Sequence, residues 1–251
     1  MVKGFDSFKK WFAGWDEQYV IIGGTACELL LNEGGQDFRA TKDIDMVLIL
    51  EAMTTEFCSH FWQYIQVGEY VHRNKVTGEA QFYRFSNPGK LGFPSIIELF
   101  SRIPDGINLP EEAELTRISV DGEISSLSAI LLDLEYYQFL RNGKIVIDGL
   151  PLLDAEHIIP FKAKAWLDLS NRKASGEQVD SKNIRKHKND VFRLATLLTA
   201  ESRISLSENI MADMTDFLEA MKNERINTRD IGIAYANKDT LLQLISDTYN
   251  L

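Results

Sequence analysis

The chain has 251 residues, with 45% hydrophobic, 25% charged and 10% aromatic side chains, which excludes a disordered or low-complexity protein. Its 16 Gly and 6 Pro are too few for a collagen-like repeat, and its 2 Cys too few for a disulfide scaffold. The net charge of −10 favours solubility over a nonspecific nucleic-acid coat, and no apolar run approaches the roughly 18 residues of a membrane span. The opening residues mix charge with aromatics and lack an apolar core and cleavage site, so the sequence predicts no secretory signal and a cytoplasmic protein. Cys27 and Cys58 have no metal-ligand spacing and read as reduced, partly buried thiols.

Phe5, Phe8, Phe12 and Trp15 recur at spacings of three and four, which predicts an amphipathic helix over Phe5 to Trp15. Tyr19 to Ile22 is a short apolar run ended by Gly23 and Gly24, a buried strand and a turn. A helix over Thr25 to Asn32 follows and stops at Gly34 and Gly35. Further along, Ile44 to Leu50 reads as strand, Thr54 to Gln66 as helix, and Gln81 to Phe85, Ser95 to Phe100 and Leu115 to Val120 as strands. Leu127 to Arg141 is a helical pattern, Lys144 to Ile147 a strand, and Asp148 with Gly149 a turn. Beyond Leu153 the patterns are helical: Ile158 to Leu169, Asn183 to Leu198, Leu206 to Lys222 and Thr240 to Tyr249, the third with a Ser205 and Glu208 capping box. A polar loop is expected over Lys173 to Ser181. The pattern predicts an α+β protein: an α/β domain with a mixed sheet over residues 1–150, then a helical domain over 151–251.

Charge is unevenly spread. From Lys162 to Arg193 there are nine Lys or Arg against four acids, a local +5, which leaves −15 for the rest. Such an island suggests a phosphate-bearing ligand held at one place, with a solvated helix face as the plain alternative. His60, His72, His157 and His187 have no paired spacing and are assigned no metal. Trp62, Tyr64, Tyr136, Tyr137 and Trp166 read as core or groove filling.

The chemistry concentrates between Tyr19 and Leu50. Two glycines between a strand and a helix let backbone approach a ligand, and a helix start offers free N–H groups to a phosphate. Asp43 and Asp45 stand two apart at the start of a strand and so share a face, an arrangement that repels unless a cation neutralises it. Glu98 is a lone acid in an apolar strand, costly to bury unless paired or metal-bound; an edge position facing solvent is the alternative. Three carboxylates facing a Gly-rich phosphate cradle suit two-metal phosphoryl or nucleotidyl transfer. Arg39, Thr41 and Lys42 flank the acidic strand and are candidates for phosphate contact or for orienting the acids.

Gly23, Gly24, Thr25 followed by Asp43, Ile44, Asp45 resembles the signature of the DNA polymerase β-like nucleotidyltransferase superfamily. Arg39, Thr41 and the Asp-Ile-Asp strand, with Lys162, Ala165 and Lys188, Asn189, Asp190, are more narrowly similar to the AbiEii/AbiGii group of toxin-type nucleotidyltransferases. The resemblance spans residues 18–50 closely and 95–195 loosely. It implies that Gly23, Gly24 and Thr25 hold nucleotide phosphates, that Asp43, Asp45 and Glu98 are catalytic and bind two Mg²⁺ ions, that Lys162 or Lys164 reaches the triphosphate, and that Asp190 completes the site. Arg193 stands where that group often carries a second Asp. The implied reaction transfers an NMP from an NTP to an acceptor hydroxyl. The implied acceptor is a tRNA 3′ end, and the implied setting a toxin–antitoxin or phage-defence pair whose antitoxin is a separate protein. Two alternatives stand beside it: transfer to an antibiotic-like small molecule, and a nucleotide-binding module without turnover.

Overall fold

The computed structural model describes residues 2–39, 41–70, 82–101, 130–131 and 133–251. Among them are eight helices and one six-stranded mixed sheet, so the protein is α+β. The helices are α1 (Phe5–Trp11), α2 (Gly23–Glu33), α3 (Thr55–Val67), α4 (Leu134–Asn142), α5 (Ala155–Ala174), α6 (Ser181–Ala195), α7 (Glu208–Asn223) and α8 (Lys238–Tyr249). The strands are β1 (Tyr19–Ile22), β2 (Asp43–Leu48), β3 (Phe82–Ser86), β4 (Ile96–Phe100), β5 (Lys144–Ile147) and β6 (Leu150–Leu153), in the order β3-β4-β2-β1-β6-β5. The strand expected at Leu115 to Val120, the start of the helix expected from Leu127, and His72 lie outside the described residues. Among the described residues no helix is long and apolar enough to cross a membrane.

The chain forms two compact units. The first takes residues 2–29, the described part of 39–101, and Lys144–Leu153; the second takes 30–38, the described part of 130–143, and 154–251. The chain therefore passes between the units at several points.

In the sheet unit the central strands are buried on both faces, since neighbouring residues of β1, β2 and β4 are alike enclosed. Tyr19 stacks on Phe57 of α3 at 6.2 Å and meets Phe12 at 5.8 Å, while Phe85 of β3 meets Phe61 of α3 at 5.5 Å. The helix expected to reach Trp15 ends at Trp11, because the chain turns at Phe12 and Gly14 takes a φ of 83°. Trp15 still packs: His60 stacks between Trp11 and Trp15, each at 5.2 Å, and its Nε2 lies 2.7 Å from the Trp11 carbonyl. Asp148 and Gly149, with φ of 54° and 77°, make the two-residue turn between β5 and β6. Strand β6 is an element the sequence reading does not assign. Its Pro151 cannot donate to a ladder, and β6 is only four residues long with a single parallel pairing, Ile21 with Leu152.

In the helical unit, α5 carries Pro160 in its interior. Proline has no N–H to give the carbonyl four residues earlier, that of Glu156. The Tyr249 hydroxyl from α8 donates to that carbonyl instead. Burial holds the Tyr249 phenol well above its ordinary pKa, so it remains the donor. Around this point Tyr136 meets Phe161 at 5.1 Å and Trp166 meets Phe217 at 5.5 Å. The Ser205 and Glu208 capping box does not form: Glu208 is already the first helical residue, its N-cap is Ser207, and no side-chain capping bond is made there.

Replacing Tyr249 by Phe leaves the Glu156 carbonyl without this donor. The expected cost is about 1–3 kcal/mol, read as a lower midpoint in chemical denaturation. An unchanged midpoint would show that the carbonyl is satisfied by another donor.

Candidate metal centre

The site is built by strand register. Strands β2 and β4 run parallel with Asp45 opposite Glu98 and Asp43 opposite Ile96. Residues two apart on a strand share a face, so all three carboxylates project from the same side of the sheet. One oxygen from each of Asp43, Asp45 and Glu98 lies within 4.8 Å of the others. Asp45 and Glu98 are buried, at 9% and 4% exposure, and Asp43 is half-buried. Glu98 is not at an edge, since β4 lies between β3 and β2.

Gly23 and Gly24 do not form a free turn; they open α2 directly after β1. Gly23 has a φ of 67°, and a Cβ there would lie 1.8 Å from Asp45 Oδ2. The glycine is required twice, by the backbone and by the carboxylate against it. The positive end of the α2 dipole thus lies beside the Asp45 carboxylate. At Gly24 a Cβ would meet Thr41 Cγ2 at 2.7 Å, with the Arg39 guanidinium alongside at 3.5 Å.

Two buried hydroxyls fix the backbone under the acids. Thr25 donates to the Asp43 carbonyl at 2.6 Å, and Thr41 donates to the carboxylate of buried Glu28 at 2.8 Å. Thr25 thereby ties α2 to the backbone of the acidic strand, and Thr41 ties the segment before that strand to Glu28.

Arg84 on β3 is a site residue that the sequence reading misses. It pairs across the antiparallel β3–β4 ladder with Glu98, and both Nε and Nη2 donate to the same Glu98 oxygen, Oε1, at 2.8 and 2.5 Å. Its partner is 14 positions away, and the only sequence signal is one cation in an aromatic strand facing one acid in an apolar strand. Burial pushes the Glu98 carboxyl above its ordinary pKa; Arg84 opposes the shift, the Asp43 charge adds to it, and a hydrogen bond with Asp45 opposes it.

The donor set fits a hard divalent cation. Three carboxylates within 4.8 Å offer oxygen-only ligation, which suits Mg²⁺ or Ca²⁺.

The remaining expected residues lie in the helical unit. Lys162 and Asp190 are both buried and pair with each other at 3.2 Å, with Arg193 at 3.6 Å from the same carboxylate. Lys164 pairs with Asp213 at 2.9 Å and Asp168 at 3.5 Å. Burial works to lower the Lys164 pKa, but those two acids outweigh it and hold the ammonium above its ordinary value. Lys162 and Lys164 are thus each set against a carboxylate within their own unit.

No protein-family model matches the chain, and no curated protein matches it. The family resemblance therefore rests on the motif residues alone.

Two outcomes follow from this geometry. Gly23→Ala forces a Cβ onto Asp45 and strains the backbone; it is expected to destabilise the protein by about 1–3 kcal/mol and to weaken divalent-cation binding, measured by calorimetric titration. The raised Glu98 pKa makes the folded protein bind a proton more tightly than the unfolded chain. Stability without metal therefore falls as pH rises from the ordinary 4.5 through the raised value. Thermal melts in chelator across that range should show the loss, and Glu98→Gln should remove it.

Proposed function

We propose that the chain is a Mg²⁺-dependent nucleotidyltransferase that moves an NMP from an NTP to an acceptor hydroxyl and releases pyrophosphate. The observation that carries this reading is the grouping of Asp43, Asp45 and Glu98 within 4.8 Å on one face of the sheet, with the start of α2 against Asp45. Two Mg²⁺ ions held there would supply Lewis-acid activation of the attacking hydroxyl and neutralise charge on the phosphates. Asp43 and Asp45 hold the ions from one strand, and Glu98 closes the set from its neighbour. Gly24, Thr25 and Arg39 lie at or beside the start of α2, where backbone N–H groups suit a phosphate. The buried Lys162–Asp190 pair is a structural contact on this reading, since breaking such a pair costs about 3–5 kcal/mol.

The family resemblance supports a tRNA 3′ end as acceptor, and with it a toxin role countered by a separate antitoxin protein. One observation favours a cationic small molecule instead. Outside residues 162–193 the chain carries a net charge of −15, which suits a cationic acceptor.

The test is incubation with Mg²⁺, each labelled NTP, and either total tRNA or a panel of aminoglycosides. The wild type is expected to label RNA, and Asp45→Asn to lose at least about 100-fold of the rate, the scale on which one charge-stabilising group is felt. Label on the aminoglycosides alone would move the acceptor to the second reading. No label on either pool, with Mg²⁺ binding intact, would leave a binding module without turnover.

A further inference from the structure

Resting on the reading of Asp43, Asp45 and Glu98 as a divalent-cation site, we propose that Arg84 sets the selectivity of that site for Mg²⁺ over Ca²⁺ by occupying one of the two Glu98 oxygens. A carboxylate oxygen has two lone pairs. On Glu98 Oε1 both are engaged, by Arg84 Nε at 2.8 Å and Nη2 at 2.5 Å. The fork is fixed at its base, because Arg84 and Glu98 are directly opposed in the β3–β4 ladder. At its head Glu98 is 4% exposed, so turning away from Arg84 would leave a buried carboxylate without this cation.

The consequence falls differently on the two ions. Mg²⁺ takes six ligands at about 2.0–2.1 Å, usually one oxygen from each carboxylate with waters completing the shell. Ca²⁺ takes six to eight ligands at about 2.3–2.6 Å and commonly chelates a glutamate through both oxygens. A Glu98 with Oε1 occupied serves the first ion fully and denies the second its bidentate ligand. Arg84 also removes one negative charge from the cluster, but that affects both ions alike. Selectivity comes from the fork, whereas overall affinity responds to the charge. Arg84 is a positioning residue, acting on the cation through Glu98, and its side chain is 40% exposed, so its replacement leaves the apolar packing of the unit intact.

Calorimetric titration of the intact chain with MgCl₂ and with CaCl₂, in wild type, Arg84→Ala and Arg84→Lys, tests this without reference to turnover. Arg84→Ala is expected to lower the Mg²⁺/Ca²⁺ affinity ratio by about tenfold, the lower end of the effect of changing a partner of a metal ligand. Arg84→Lys keeps the charge but replaces the planar fork by a point donor, and should lower the ratio as Ala does. A wild-type ratio in Arg84→Lys would overturn the proposal in favour of charge alone, and a wild-type ratio in both would remove any role for Arg84. A wild type that binds neither ion would instead overturn the metal reading itself, which the first titration reveals before any variant is made.

Discussion

The sheet unit is organised around a repulsion. Three carboxylates lie within 4.8 Å of one another, two of them buried, where like charges interact far more strongly than in water. Left to themselves the acids would separate or take up protons. Backbone register prevents the first: Asp45 faces Glu98 across a parallel ladder, and Asp43 is one pleat away on the same face. The second is opposed at Glu98 by the guanidinium of Arg84. Gly23 is the joint on which this depends, since any side chain there would occupy the space of the Asp45 carboxylate.

Charge in the helical unit obeys a different rule. The +5 segment between Lys162 and Arg193 is an island only along the sequence. In space, acids from outside it come to meet it: Asp213 pairs with Lys164 and Glu224 with Lys188. Inside the segment, Asp190 takes Lys162 and Arg193. The buried Lys162–Asp190 pair joins α5 to α6 at a point where an unpartnered charge would be costly. Helix faces that read as a phosphate-binding surface along the chain are in part the seams between helices.

What the sequence made legible is what short-range rules govern. The i, i+2 spacing of Asp43 and Asp45 puts both on one face whatever the rest of the chain does, and a lone Glu98 in an apolar run demands a partner. Helices α3 and α5 to α8 follow from periodicity, with ends shifted by a few residues; α5 runs from Ala155 where the pattern begins at Ile158, because Asp154 caps it further upstream. The partner of Glu98 was not legible, because pairing Arg84 with it requires knowing that β3 and β4 are neighbours and in which register. The same holds for Thr25 and Thr41, whose hydroxyls look like phosphate contacts in a motif and are spent on Asp43 and Glu28 in the fold. Strand β6 was hidden by its own Pro151, and the tolerance of Pro160 depends on a hydroxyl 89 positions later, at Tyr249.

The balance of charge at the three acids bears on why such a cluster exists at all. A network that serves only stability tends towards neutrality, and apolar residues of similar volume would often serve it as well or better. The Lys162–Asp190–Arg193 group is of that kind, with cations at least matching the acid they surround. The sheet cluster is different: three carboxylates converge there, and two N–H groups of Arg84 go to a single oxygen of one of them. Burial lifts the Glu98 pKa, so the folded chain holds a proton there more tightly than the unfolded one. A proton relieves one carboxylate, whereas a divalent cation relieves all three at once and needs no rearrangement of the backbone that holds them. The strand register, the glycine and the arginine fork are the means by which the three carboxylates are kept together.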